Sequence, residues 1–252
     1  QRAILSIYPL LAISLGYGIT YLFAKFNIIS WLAFSFMIWL NLFQTWQFKY
    51  DIIDRERMTF RYYQKIFFKT EKPIDAENYL RVNRSADEKD FLPKIENYTE
   101  KLITSQNFKI PPDGKEYALC DTFGIDDKHS LWMSETNEFV DGLSLKFKQA
   151  CSTDHFWIKA AVDIFIPANY DTYSPTMVIH FNHGENGVYK YRNESIPKND
   201  MKINQWNHLE FWYLTPEVRS KDDNFKVYLW QPNKQKVYID NFNVSLLIPN
   251  QE

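Results

Sequence analysis

The residues best suited to chemistry are three aromatic side chains near the C-terminal end, Trp212, Tyr228 and Trp230. They alternate with apolar residues, and alternate side chains of a β-strand point to opposite faces. We expect the apolar positions to form a core and the three rings to lie at the surface. The expected core positions are Leu209, Phe211, Tyr213, Phe225, Val227 and Leu229. Such a row of rings could stack on sugar rings, or it could fill a second core or pack beneath another segment.

Histidine and carboxylate residues give no comparable signal. His180 and His183 are three residues apart and Glu185 follows, but a strand-to-turn segment does not bring both rings to one face as a zinc-binding helix does. The sequence has no glycine-rich phosphate loop, nucleophile elbow or CxxC pair. We therefore predict no catalytic residue in this chain and leave open whether the whole protein is an enzyme.

Charge and cysteine content exclude one class of partner and leave the compartment open. The net charge of −2 gives no basic footprint for nucleic acid, so no nucleic-acid partner is expected. Cys120 and Cys151 could pair in an oxidising compartment, or they could be two small buried apolar residues.

The first 47 residues predict two transmembrane helices, at about 4–24 and 28–45, folded as a hairpin. Lys25 is the single charged residue between Ile4 and Phe43. About 20 apolar residues suffice to cross a bilayer, so the expected partners are the lipid bilayer and other transmembrane helices. A buried hairpin in a soluble protein is the alternative. A count of flanking Lys and Arg places the rest of the chain in the cytoplasm.

Residues 48–114 predict a short helical connector. Thr59 is a suitable N-cap for a basic and aromatic helix that begins at Phe60, which could lie on the membrane surface or pack on the rest of the chain. A second helix is expected over 88–104. The turn-forming sequence at 110–114 predicts a domain boundary.

Residues 115–252 predict an all-β sandwich, because short alternating segments are separated by turn signals. The fold class is therefore a membrane α-helical hairpin plus an all-β jelly-roll sandwich, joined by a short helical connector. The predicted strands are 116–123, 129–134, 139–149, 155–166, 176–182, 187–192, 206–214, 224–231 and 236–247.

The tail over 206–247 resembles the end of a jelly-roll domain of the carbohydrate-binding-module type. The resemblance is carried by a Trp-led strand, the sequence VYLW and the closing YIDNF. It implies a glycan as a possible partner. It also implies that Asp240 could help to hold a structural calcium ion, with Glu116 and Asp121 as possible further ligands. Calcium takes six or more oxygen ligands, which one matched aspartate does not supply.

The segment 39–67, WLNLFQTWQFKYDIIDRERMTFRYYQKIF, resembles the junction after the last membrane helix of large envelope proteins of Bacteroidota. Those proteins resemble glycosyltransferases of the C superfold, which use lipid-linked sugar donors. The catalytic loops of that superfold precede this region, so no catalytic residue can be assigned here. The resemblance implies an inner-membrane protein with its sandwich in the periplasm. The count of flanking Lys and Arg predicts the opposite side, the cytoplasm.

These observations lead to one main hypothesis and two alternatives. In the main hypothesis, the chain is the C-terminal part of a glycosyltransferase-like envelope membrane protein, and its sandwich aids the binding of glycan or acceptor. The first alternative is a non-catalytic, membrane-anchored interaction or structural subunit of a larger complex. The second is a free-standing sugar-binding receptor.

Overall fold

A computed structural model describes residues 8–25, 27–84, 96–112, 114–125, 127–184, 187–233 and 235–250. The chain divides into two compact units, residues 1–83 and 84–252. The turn-forming sequence at 110–114 predicted the domain boundary about 30 residues later in the chain. The difference arises because a strand within the predicted connector belongs to the second unit.

The first unit begins with two consecutive long helices, α1 (Tyr8–Lys25) and α2 (Asn27–Lys49), which pack against each other as a hairpin. The ring of Phe23 lies 4.7 Å from that of Trp31, edge to face. Among the described residues, one stretch, Ile28–Lys49, is long and apolar enough to cross a membrane. The start of the first predicted span lies outside the described residues.

A short helix, α3 (Phe60–Ile66), follows α2. Its predicted N-cap is confirmed, since the Thr59 hydroxyl accepts a hydrogen bond from the Tyr62 backbone amide. The amide of Gln47, whose side chain is buried, donates to the carbonyl oxygens of Ile66 at 2.9 Å and Lys69 at 2.8 Å. These bonds satisfy carbonyl groups that the end of a helix leaves without partners.

The second unit is a sandwich of two antiparallel sheets. The strands are β1 (Tyr98–Gln106), β2 (Leu119–Cys120), β3 (Ser130–Met133), β4 (Phe139–Lys146), β5 (Trp157–Ile166), β6 (Thr176–Asn182), β7 (Val188–Ser195), β8 (Gln205–Leu214), β9 (Asn224–Trp230) and β10 (Val237–Pro249). The six-stranded sheet has the order β2-β3-β10-β5-β8, with β1 also paired to β10, and the four-stranded sheet has the order β4-β9-β6-β7. A one-turn helix, α4 (Phe147–Ala150), follows β4.

Two of the predicted segments differ from the observed elements. The predicted helix over 88–104 is wrong where it overlaps β1, which pairs antiparallel with β10 from Tyr98↔Pro249 to Gln106↔Phe242. The rest of that prediction falls largely outside the described residues. Within the predicted strand over 116–123, Glu116–Ala118 form a 3₁₀ turn and only Leu119 and Cys120 pair with β3.

The core lies between the two sheets, and the predicted alternation is confirmed there. All six predicted core positions in β8 and β9 are buried, and they belong to one apolar cluster. Gly142 lies at a bulge in β4, and a Cβ atom at this position would come within 2.5 Å of the Phe242 ring. Cys120 and Cys151 are both free thiols.

Candidate functional site

The structure separates the three predicted aromatic residues. Trp212 lies on the outer face of the six-stranded sheet, because its neighbours Phe211 and Tyr213 in β8 point into the core. Tyr228 and Trp230 alternate with core residues of β9 and lie on the outer face of the four-stranded sheet. A single ligand surface can therefore include Tyr228 and Trp230 together, but not Trp212.

Trp212 is held by charged neighbours. Its indole N–H donates to Glu210 Oε1 at 2.6 Å, and the Lys159 ammonium lies 4.9 Å from its ring centre. Lys159 also lies 3.7 Å from a carboxylate oxygen of Glu210 and 3.9 Å from one of Glu100. This cluster occupies both the indole N–H and one face of the Trp212 ring.

The outer face of the four-stranded sheet carries a row of rings, which we call the aromatic face: Phe139, His180, Tyr191, Tyr228 and Trp230. Phe139 and Trp230 are directly opposed residues of β4 and β9, and their ring planes are within 6° of parallel. His180 packs edge to face on Tyr228 with ring centres 5.4 Å apart. Tyr191 is the register partner of His180 on β7 and is 45% exposed. Phe139, His180 and Tyr191 were not predicted to share a surface with Tyr228 and Trp230, although alternation within their strands was a usable signal.

Thr176 and Val178 form the floor of the aromatic face. They lie on β6, directly opposite Trp230 and Tyr228, and they are 8% and 0% exposed. Val178 is not part of the core cluster, since its neighbours Met177 and Ile179 point there. A residue that is fully buried on an outer face is covered by its neighbours, so the side chains of the aromatic face pack over Val178.

Two polar atoms on β6 are buried and have no hydrogen-bond partner among the described residues, His180 Nε2 and Asn182 Oδ1. A buried polar atom without a partner destabilises a protein by about 1–3 kcal/mol, so these positions are unusual in a folded structure. Both residues lie on the outer side of β6, where His180 pairs with Tyr191 and Asn182 pairs with Asn224. Because both atoms are covered by protein, a ligand can bond to them only after a neighbouring side chain moves.

The electrostatics of the aromatic face favour the neutral forms of His180 and Tyr228. Burial lowers the pKa of the His180 imidazole, and the nearby Lys226 ammonium lowers it further. Burial raises the pKa of the Tyr228 hydroxyl, and the nearby Tyr191 and Asp141 raise it further. The face thus offers neutral rings and hydrogen-bonding groups, close to one lysine and one aspartate.

Asp240 has a hydrogen-bonding role in the part of the chain that is described. Asp240 is buried, and its two carboxylate oxygens accept hydrogen bonds from the backbone amides of Ile125 and Asn241. Among the described residues, no group of three or more His, Cys, Asp and Glu side chains could hold a metal ion. Asp240 instead joins the loop before β3 to β10. Calcium binding by Asp240, Glu116 and Asp121 stays a prediction.

His183 has a structural partner. Its Nδ1 lies 2.6 Å from Oδ1 of Asp223, while Tyr189 donates its hydroxyl hydrogen to Oδ2 at 2.8 Å. The backbone amides of Arg219 and Ser220 donate to the same oxygen, and Asp223 is 1% exposed. This carboxylate connects the β6–β7 turn to the loop before β9.

A second aromatic cluster, which was not predicted, lies on the outer side of the six-stranded sheet: Phe123, Phe165, Trp206 and Tyr238. Phe123 stacks on Trp206 at 5.4 Å and contacts Phe165 edge to face at 4.7 Å. Phe123 comes from a loop, so its position depends on tertiary packing that alternation within strands does not reveal.

Comparison with known proteins gives fold neighbours only. No protein-family model and no curated protein sequence matches this chain. The CBM22-1 xylan-binding domain of Paenibacillus barcinonensis Xyn10C is 11% identical, covers 60% of this chain and 98% of its own, and has a TM-score of 0.41. A family 16 carbohydrate-binding module is 18% identical, covers 53% and 88%, and has a TM-score of 0.35.

A third neighbour is the C-terminal family 22 carbohydrate-binding module of Clostridium thermocellum Xyn10B. It is 15% identical, covers 57% of this chain and 94% of its own, and has a TM-score of 0.36. The sandwich therefore resembles carbohydrate-binding modules in its fold. The likeness is too distant to carry a functional argument, which rests here on the residues of the aromatic face.

Proposed function

We propose that the sandwich binds a glycan on its aromatic face. The observation that carries the proposal is the row of rings on this face, with two buried, unpartnered polar atoms, His180 Nε2 and Asn182 Oδ1, on the neighbouring strand β6. A sugar ring has apolar C–H faces that can stack on Phe139, Tyr228 and Trp230. It also has hydroxyl groups that can bond to polar atoms beside those rings.

The composition of the aromatic face favours a sugar over an apolar ligand. Binding sites commonly combine an apolar lining with a few polar groups that fix the orientation of the ligand. Here the rings lie along neighbouring strands, which suits an extended chain of sugar rings. Lys226 and Asp141 carry opposite charges, so this pair of residues selects neither anionic nor cationic chains.

The test is glycan binding by the full chain in detergent micelles, first on an array and then by calorimetry. We expect Trp230→Ala and Tyr228→Ala each to weaken the binding of a selected glycan at least about tenfold, which corresponds to ~1.4 kcal/mol. Trp212→Ala is the matched control, because it removes a half-buried ring from the opposite sheet. Equal losses in all three variants, or no glycan ligand, would contradict the proposal.

We further propose that α1 and α2 anchor this module in a membrane. The support is the length and apolar composition of Ile28–Lys49, together with the pairing of α1 and α2 as a hairpin. The chain should then stay with the membrane fraction after alkaline carbonate extraction and be released by detergent. Release by carbonate alone would contradict this proposal.

From the resemblance of 39–67 to the junction segment of glycosyltransferase-like envelope proteins, we further propose that this anchor lies in the bacterial inner membrane, with the sandwich in the periplasm. Protease added to intact spheroplasts should then digest the sandwich and spare the membrane helices. Digestion only after lysis would place the sandwich in the cytoplasm. In the proposed context the module would hold glycan or acceptor near a catalytic domain, which is not part of this chain.

A further inference from the structure

A second groove lies at one end of the sandwich, at the loops that connect to β5, β8 and β10. Its volume is about 340 Å³, and its lining includes Phe165, Asn169, Tyr170, Asn204, Lys236 and Tyr238. Phe165 and Tyr238 lie on the outer side of the six-stranded sheet, whereas the aromatic face belongs to the four-stranded sheet. The groove is therefore a separate surface. Its volume is near the lower limit of small-molecule pockets, which suits one or two sugar rings.

The groove has one charged lining residue among those described, Lys236, and no acidic one. The Lys236 ammonium lies 5.0 Å from the centre of the Trp132 ring and 5.1 Å from that of Tyr238. Two rings thus fix the position of the positive charge. In the described part of the chain, no carboxylate or carbonyl oxygen accepts a hydrogen bond from this ammonium. Its N–H donors can therefore bind an anionic group.

Neutral hydrogen-bonding groups lie around the same groove. The side chains of Asn169 and Asn204 are exposed, and neither amide is bonded within the described residues. The backbone at Asn204 is fixed, since it has a φ of 57° and its N–H donates to the Ile166 carbonyl oxygen at 2.6 Å. On the opposite side of the groove, buried Gln231 donates hydrogen bonds to Tyr170 Oη and to the Gln235 carbonyl oxygen. These two bonds fix the positions of Tyr170 and Gln235.

We propose that this groove binds a sugar residue that carries a carboxylate, such as a uronic acid at the end of a glycan. Lys236 would pair with the carboxylate, Asn169 and Asn204 would bond to hydroxyl groups, and Phe165 and Tyr238 would contact the apolar face of the ring. No residue of the aromatic face takes part. The groove is thus independent of the function proposed for that face.

The test uses the full chain in detergent micelles with two small probes, methyl β-glucuronide and methyl β-glucoside, followed by saturation-transfer NMR and calorimetry. We expect the glucuronide to bind at least tenfold more tightly than the glucoside, and its affinity to fall as salt is added. Lys236→Met should weaken glucuronide binding at least tenfold, and Lys236→Arg should retain most of it.

Lys101→Met is the matched control, because this exposed lysine lies on β1 opposite Leu246, away from both the groove and the aromatic face, and should not affect the glucuronide. Lys236 is exposed, and thermal melting of each variant checks that the fold is retained. Equal binding of the two glycosides, an equal effect of the two Lys→Met changes, or no glucuronide binding would overturn the proposal. Acetate that competes as well as the glucuronide would also overturn it, because the groove would then be an anion site without sugar recognition.

Discussion

At the residue scale, Asp223 is a buried acid of the sandwich with four hydrogen-bonding partners. It accepts bonds from two backbone amides and from Tyr189, and it contacts His183. Burial alone would raise the pKa of its carboxyl group. The hydrogen bonds, above all those from His183 and Tyr189, outweigh burial and hold that pKa below its usual value.

The lowered pKa predicts how stability depends on pH. An unfolded aspartate has a pKa of about 3.9, so the stability contributed by Asp223 is fully present above that pH. As the pH falls from there through the lower folded-state pKa, the folded protein must take up a proton and this contribution is lost. We expect Asp223→Asn to destabilise the sandwich by ~1–3 kcal/mol at pH 7 and by less at pH 3, as measured by urea unfolding.

The adjacent Asp222 is a matched control for this prediction. Its carboxylate is exposed and lies 2.6 Å from the Lys148 ammonium. Exposed ion pairs contribute little to stability, so Asp222→Asn should leave the unfolding midpoint almost unchanged. If both Asn variants unfold at the same urea concentration, buried hydrogen bonding at Asp223 does not stabilise the sandwich.

At the element scale, the sequence predicts most strands well and fails at β1. Strands β5, β6, β8, β9 and β10 show clear alternation or continuous burial, because they face the core. Strand β1 has exposed residues on both sides, so its sequence carries no two-residue period and is compatible with a helix.

Alternation also predicts which side chains of a strand point away from the core. It cannot say which sheet a strand joins, which explains why Trp212 was grouped with Tyr228 and Trp230.

In the first unit, the side chain of Gln47 holds the end of α3 in place. Gln47→Leu would remove its two hydrogen bonds, to the carbonyl oxygen of Ile66 at the end of α3 and to that of Lys69 just beyond it. We expect hydrogen exchange to become faster over α3 and residues 67–69, with a loss of ~1–3 kcal/mol in local stability. The control is Gln64→Leu on the exposed side of α3, which should leave the exchange rates unchanged. Similar exchange in both variants would exclude this role of Gln47.

At the scale of the whole molecule, the second compact unit includes β1, which the predicted boundary at 110–114 would have removed. A fragment over 84–252 keeps the pairing of β1 with the last eight positions of β10, Phe242 to Pro249. A fragment over 115–252 exposes that edge, and unpaired strand edges promote aggregation.

We therefore expect residues 84–252 to express as a soluble domain with one cooperative thermal transition. Residues 115–252 should aggregate or melt without cooperativity. Scanning fluorimetry and size-exclusion chromatography of the two fragments provide the measurement. If the shorter fragment is equally soluble and cooperative, β1 is dispensable and the predicted boundary at 110–114 defines the domain better.

The pairing of Tyr98 with Pro249 has a mechanical consequence. The first and last strands of the sandwich are antiparallel neighbours, so the chain enters and leaves the sandwich at adjacent points. Tension between the linker and the C-terminal end would separate β1 from β10 one hydrogen bond at a time, at low force. Tension between the linker and a glycan on the aromatic face acts on the same Tyr98 end of β1, because the linker leads into that strand. The pairing of Tyr98 with Pro249 is therefore the point at which a pull on either end of the chain begins to open the sandwich.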